Sequence, residues 1–235
     1  MFPLWEIAIA PVLEAAGATK ITEIGALAGQ TTELMLKRLG PTVELHVIDP
    51  VPQFDPSEHE RRFQGQYIFH RDLSLNVIKT LEPMDAVLID GDHNWYTVYH
   101  ELQQIADVSA RAGAPLPVLI LHDVCYPYGR RDLYYAPEQI PDAYRQPYAQ
   151  RGMLPGRKVL ARAGGLNPSL HNAIDEGGPR NGVMTALEDF IAEHDEPLRL
   201  VVLPIYFGLA IVVAQERLER QPELARVLDE LEGVE

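Results

Sequence analysis

Cysteine is almost absent: Cys125 is the single one in 235 residues. No internal disulfide can form, which suits a reducing cytoplasm. Cationic residues are scarce too, with 20 Lys and Arg against 34 Asp and Glu and a formal net charge of −14. That balance argues against nucleic acid or an anionic membrane surface as a partner, because each demands a basic face. Long hydrophobic runs are also missing. The most apolar stretch, 198–213, is short for a membrane span and is interrupted by Pro204 and Gly208. The start, Met1-Phe2-Pro3-Leu4-Trp5-Glu6, lacks the basic residues of a secretory signal. There is no internal repeat and no low-complexity segment. These absences leave a soluble cytoplasmic chain, with a length that suits one domain over 1–235.

What is there is organised around one stretch, Thr22-Glu23-Ile24-Gly25-Ala26-Leu27-Ala28-Gly29-Gln30-Thr31-Thr32. Residues 20–24 read as a short buried strand and 31–39 as the helix it feeds. Gly25 and Gly29 let the backbone turn tightly and approach a ligand, since neither carries a Cβ. Thr31 or Thr32 is the expected N-cap. A turn of this kind after the first strand of an α/β sheet is where nucleotide-like ligands bind. A dinucleotide fingerprint requires Gly at two positions that Leu27 and Gln30 occupy here, so an NAD-dependent oxidoreductase is the disfavoured alternative. No Lys-Ser/Thr ends the turn, and Glu23 would repel a phosphate while suiting a cationic amino-acid group.

The acidic–Gly–Ala–x–x–Gly–x–Thr order of Glu23, Gly25, Ala26, Gly29 and Thr31 resembles motif I of the class I S-adenosylmethionine (SAM) methyltransferases. Within that group it is most similar to the small-molecule O-methyltransferases of the catechol and macrolide-sugar type. The resemblance implies a Rossmann-like α/β fold, with a mostly parallel sheet of seven strands, an antiparallel last strand and helices on both faces. It also implies that Glu23, Gly25, Ala26, Gly29 and Thr31 bind the cofactor.

The rest of the chain agrees with that pattern. Residues 2–16 have helical spacing. Further strands are expected at 43–48, 67–70, 84–89 and 117–121, alternating with helical segments within 52–66 and over 73–81 and 96–111, which implies parallel βαβ units. Glu23, Asp49, Asp72, Asp90 and Asp123 all fall at strand ends, where ligands of such sheets gather. Asp49, ending the second strand, is placed to accept hydrogen bonds from a ribose diol. The resemblance implies an adenine contact for Asp72, which could equally cap the helix after it. Residues 126–180 break the alternation and are rich in Pro, Gly, Tyr and Arg, as an acceptor-covering lid or a binding arm would be. Tyr134, Tyr135, Tyr144 and Tyr148 could stack on a sugar or aromatic ring, and Arg130 and Arg131 could meet a carboxylate. Tyr and Arg serve a homodimer interface as well. A helix at 181–194, strands at 198–203 and 209–213, and an amphipathic helix over 215–232 complete the chain.

Chemistry concentrates after the fourth and fifth strands, in Asp90-Gly91-Asp92-His93 and His122-Asp123. Carboxylates with an imidazole suit Mg²⁺ or Mn²⁺. The resemblance implies metal ligation by Asp90 and by the pair His122-Asp123, although the family has a carboxylate where His122 stands. Asp90 also counts among the cofactor-binding residues. The same families carry a Lys or His base three residues after the strand-four ligand, and His93 fills that place. An imidazole titrating near neutrality can take the proton of an acceptor hydroxyl. The expected activity is SAM-dependent O-methylation of a small molecule, such as a sugar hydroxyl or a phenol. A non-catalytic SAM-binding module is the other alternative. Cys125 reads as a small buried thiol rather than a nucleophile.

Overall fold

The computed structural model describes residues 1–233, so Val234 and Glu235, the end of the expected domain, lie outside the described residues. Ten strands are assigned among them: β1 Lys20–Ile24, β2 Glu44–Ile48, β3 Tyr67–His70, β4 Ala86–Ile89, β5 Val118–His122, β6 Leu133–Tyr134, β7 Tyr148–Gln150, β8 His171–Ala173, β9 Leu198–Leu203 and β10 Leu209–Ala214. The chain divides into two compact units. The first holds 1–91, 104–122 and 195–235, and the second holds 92–103 and 123–194. The segment read as an insertion, 126–180, falls wholly in the second.

The first unit is built on a seven-stranded sheet in the order β3-β2-β1-β4-β5-β10-β9. β1 to β5 run parallel, and β10 is antiparallel to both β5 and β9. This is the expected Rossmann-like sheet, with its antiparallel last strand inserted beside β5. Sequence makes the order sensible. β4 (Ala-Val-Leu-Ile) and β10 (Leu-Ala-Ile-Val-Val-Ala) are buried along their whole length, as interior strands covered on both faces should be. β9 is half-buried at the edge, where Arg199 ties it to Asp229 and Glu232 of the last helix.

The first five strands end in register: Ile24 pairs with Ile48 and Ile89, Ile48 with His70, and Ile89 with Leu121. Their following residues therefore form one row, Gly25, Asp49, Arg71, Asp90 and His122. The core beneath includes Leu4, Ile9, Leu13, Ile21, Met35, Leu45, Leu88, Ile120, Ile211 and Leu228.

Three local expectations need correction. The N-terminal segment is helical, but it opens with a 3₁₀ turn and a π-type stretch, Trp5–Ile9, before the α-helix Ala10–Ala15. Pro11 has no N–H to return to the preceding turn, so the ladder widens ahead of it. The helix after β1 spans Gln30–Arg38 and is capped by Gly29 in the left-handed conformation, so Thr31 and Thr32 lie inside it. The C-terminal helix is two helices, Gln215–Arg220 and Pro222–Glu232, because Pro222 starts a helix and cannot continue one.

The second unit carries a small antiparallel sheet in the order β6-β8-β7. Tyr128, Leu133, Met153 and Leu160 form its own hydrophobic cluster. The helix Trp95–Ala112 begins in this unit and ends in the first. The helix Val183–Glu193 lies wholly within the second unit. Among the described residues no helix is long and apolar enough to cross a membrane.

Candidate active site

The glycine turn is held from two sides. Gly25 has φ +83°, and a Cβ there would stand 2.3 Å from the Asp90 carbonyl oxygen and 2.4 Å from Gly91 Cα. Only glycine lets the ends of β1 and β4 approach this closely. Asp49 secures the turn from β2. Its Oδ2 accepts hydrogen bonds from the Ala26 and Leu27 N–H groups, each at 3.0 Å. Its Oδ1 accepts from Val51 N–H at 2.8 Å. The residue expected to meet a ribose thus already organises the loop that would cradle the ligand.

Glu23, one residue before the end of β1, is 3 % exposed and accepts the Thr32 hydroxyl at 2.5 Å. Burial pushes its carboxyl up to about 8, against the lowering effect of Thr32, and neighbouring Asp90 and Asp49 raise it further. Thr31, expected at the cofactor, is buried in the first turn of its helix. Asp72 is exposed and turned to local work: Oδ1 accepts from Leu73 N–H at 2.7 Å and from the Asn76 amide at 2.9 Å. Asn76 and the Leu73 N–H hold its carboxyl below the usual range.

Beyond β4 and β5 the structure makes two imidazole–carboxylate pairs, one in each unit. In the first, His122 Nδ1 lies 3.1 Å from Asp90 Oδ1, and His122 Nε2 lies 2.8 Å from the Tyr206 carbonyl oxygen. Asp90 Oδ2 also receives the Met1 ammonium at 2.9 Å. In the second unit, His93 Nε2 meets Asp123 Oδ2 at 2.8 Å. A carboxylate accepts only, so Asp123 fixes a proton on His93 Nε2 and leaves the lone pair on Nδ1. Asp123 holds a left-handed backbone, φ 60°, which costs a non-glycine residue energy.

Around His93 the second unit supplies aromatic edges. Tyr128 and Tyr135 stand with ring centroids 5.5 and 5.9 Å from the imidazole. Of the four tyrosines expected to stack on a ligand, Tyr135 is 57 % exposed. Tyr134 is fully buried on Asp132. Tyr144 stacks near Trp95 and Arg180, and Tyr148 against Tyr134 and His171. Arg130 pairs with Glu188, and Arg131 is buried on the carbonyls of Ala173, Ile174 and Lys158. Cys125 is half-buried and burial raises its thiol, which lowers its reactivity.

Sequence reasoning missed Asp132. It is fully buried, and burial pushes its carboxyl up to about 6. Its neighbours, Arg-Arg-Asp-Leu, look like a solvated charge run in sequence, and no local pattern marks it.

No protein-family profile matches this chain, and no curated protein matches it in sequence. Solved structures do match it in shape. The SAH-bound methyltransferase of Podospora anserina aligns with a TM-score of 0.50 at 15% identity, covering 88% of this chain and 76% of that one. The O-methyltransferase of Bacillus cereus, solved in complex with SAH, aligns with a TM-score of 0.51 at 14% identity, covering 87% and 77%. At such identities the likeness is one of fold, and the fold of this chain is the Rossmann-like one of the class I O-methyltransferases.

Proposed function

We propose that this protein is a SAM-dependent O-methyltransferase acting on a small molecule that carries a hydroxyl, a sugar or a phenol. The observation that carries the reading is the Gly25 turn, closed to a Cβ by the Asp90–Gly91 backbone and flanked by Glu23, Asp49 and Asp90. A backbone cradle beside the Asp49 and Asp90 carboxylates, with Glu23 buried behind it, suits a ligand that combines a cationic amino-acid end with a ribose. Glu23, Gly25, Ala26, Gly29, Thr31, Asp49, Asp72 and Asp90 are its proposed contacts.

Bound there, SAM would supply a methyl group on a sulfonium, so no protein nucleophile is needed. His93 is the proposed general base. Asp123 orients its ring and stabilises the imidazolium that forms, while Nδ1 takes the proton of the acceptor hydroxyl. The acceptor oxygen gains the methyl as the sulfur–methyl bond breaks, leaving a neutral thioether. The chain's main contribution is to hold both partners for an in-line transfer. The Asp90 and Asp123 carboxylates are chemically suited to a hard divalent ion such as Mg²⁺, whereas His122, expected beside them, has both ring nitrogens engaged, on Asp90 and on the Tyr206 carbonyl. Such an ion would make the acceptor hydroxyl more acidic.

The test is transfer of an isotopically labelled methyl from SAM to a panel of glycosides and phenols, with and without chelator. Labelled product that vanishes with chelator and returns with Mg²⁺ supports the full reading. Product that survives chelation removes the ion and leaves His93 as base. The variant His93→Ala should bind SAM normally and lose transfer by 10²–10⁴-fold, on the order expected for a general base. Full activity in that variant would sink the role of His93.

A further inference from the structure

We propose that Asp132 is the positioning residue of His93, fastening the loop that carries it to the start of the helix Val183–Glu193. The proposal rests on the reading of His93 as the base, and every group it uses lies in the second unit.

The Asp132 carboxylate is fully buried and spends both oxygens on fixed partners. Oδ1 accepts from Trp95 N–H at 2.7 Å and from Gly182 N–H at 2.6 Å. Oδ2 accepts the Tyr134 hydroxyl at 2.7 Å. Trp95 opens one helix and Gly182 precedes another, so one carboxylate satisfies an orphan N–H at the start of each. The backbone around Asp132 is fixed in turn: its own N–H donates to Asn181 Oδ1 at 2.7 Å.

The next residue completes the link. Leu133 N–H donates to the His93 carbonyl at 3.0 Å within an antiparallel bridge. The dipeptide Asp132–Leu133 therefore grips the chain at His93 and again at Trp95, on either side of Asn94. From the other direction, Asp92 Oδ1 accepts the His93 N–H at 3.0 Å, and Asp92 Oδ2 accepts the Thr97 hydroxyl at 2.9 Å. With its main chain held at these points, His93 keeps only side-chain rotation, and the Tyr128 and Tyr135 rings stand beside it. A residue that holds the Trp95 peptide thus decides whether Nε2 points at Asp123, although it does not touch the imidazole. Catalytic geometry held within tenths of an ångström requires support of this kind.

The decisive experiment reads His93 itself by imidazole ¹H–¹⁵N correlation on the full chain, its signal assigned by its loss in His93→Gln. In the wild type the two nitrogens should show the separate shifts of one Nε2–H tautomer. Asp132→Ala removes the acceptor of both N–H groups. It should collapse the two shifts toward a tautomer average while circular dichroism stays unchanged. Asp132→Asn can keep its amide oxygen on both N–H groups with its NH2 toward the Tyr134 oxygen and, like Tyr134→Phe, should leave the His93 signal in place. An unshifted His93 signal in folded Asp132→Ala overturns the proposal. Should that variant not fold, amide exchange in the wild type decides: a Trp95 amide that exchanges freely while the helix Val183–Glu193 is protected also overturns it. None of these readouts needs turnover. Wild-type protein that binds S-adenosylhomocysteine but methylates nothing would refute the function above and leave this test standing.

Discussion

Gly25 and Asp90 are packed backbone against backbone, so closely that a Cβ on Gly25 would lie 2.3 Å from the Asp90 carbonyl oxygen. The neighbour is main chain directly after the interior strand β4 and cannot rotate away. Gly25→Ala meets two penalties, the left-handed φ of +83° and the overlap with β4. Together these should cost ~2–4 kcal/mol. Urea unfolding should show the loss, and calorimetry should show S-adenosylhomocysteine binding abolished in whatever protein remains folded. Retained affinity would mean that this turn does not carry the cofactor.

Glu23 predicts an unusual pH dependence. Its carboxyl is raised from 4.5 to about 8 by burial, so the folded state keeps a proton that the unfolded chain has lost. The folded state binds more protons over that window, and stability must fall as pH rises through it. Glu23→Gln keeps the shape and can still accept the Thr32 hydroxyl, without a charge to desolvate. The expected outcome is a flatter profile of denaturation midpoint between pH 5 and 8 in the variant, with its advantage greatest at pH 8. Parallel profiles for the two proteins would refute it.

These two residues also show how far the sequence could be read. The parallel strands were legible because covered strands are continuous apolar runs, and because most give way to a glycine or an acidic residue, as Ile24-Gly25, Ile48-Asp49 and Ile89-Asp90 do. The glycine turn, the row of strand ends and the placing of His93 after β4 followed from the same periodicity. The pairing did not. That His122 turns to Asp90 and to the Tyr206 carbonyl, while Asp123 turns to His93, depends on side-chain direction, which spacing does not carry. The small sheet β6-β8-β7 has strands of two or three residues, too short for an alternating pattern to register. The left-handed cap at Gly29 was hidden by the better capping residues just after it.

His46 and His70 give a prediction at acid pH. His46 Nδ1 lies 2.9 Å from His70 Nε2, with ring planes 11° apart and centroids 5.2 Å apart. Two near-coplanar imidazoles joined nitrogen to nitrogen have this separation, so one donates to the other and their lone pairs do not converge on a third point. Desolvation, then the neighbouring His46, lowers the pKa of His70 from 6.5. A base with a depressed folded pKa adds stability that is present above the unfolded value and lost as pH falls. Wild-type protein should therefore weaken below about pH 6.5. His70→Gln should show a shallower acid limb, by thermal unfolding monitored between pH 7 and 5. An identical limb would assign the acid sensitivity elsewhere.

The turn between β9 and β10 stores strain that can be removed. Gly208 N–H donates to the Ile205 carbonyl at 2.9 Å, and the two residues between them, Tyr206 and Phe207, have φ of 47° and 72°. Both central residues at positive φ is the turn that fits a twisted hairpin, but it favours Asn-Gly rather than two aromatic residues. Their rings gain little in return, being 59 % and 51 % exposed. The Tyr206 carbonyl does hold His122 Nε2, and a main-chain oxygen survives any substitution. Replacing the pair with Asn-Gly should raise stability by ~1–2 kcal/mol through relief of the left-handed penalty. A rise in the urea midpoint with unchanged slope is the expected result. A fall would show that the exposed rings contribute more to the fold than the strain removes, and would place Tyr206 and Phe207 among the residues that hold the carboxyl end of β5.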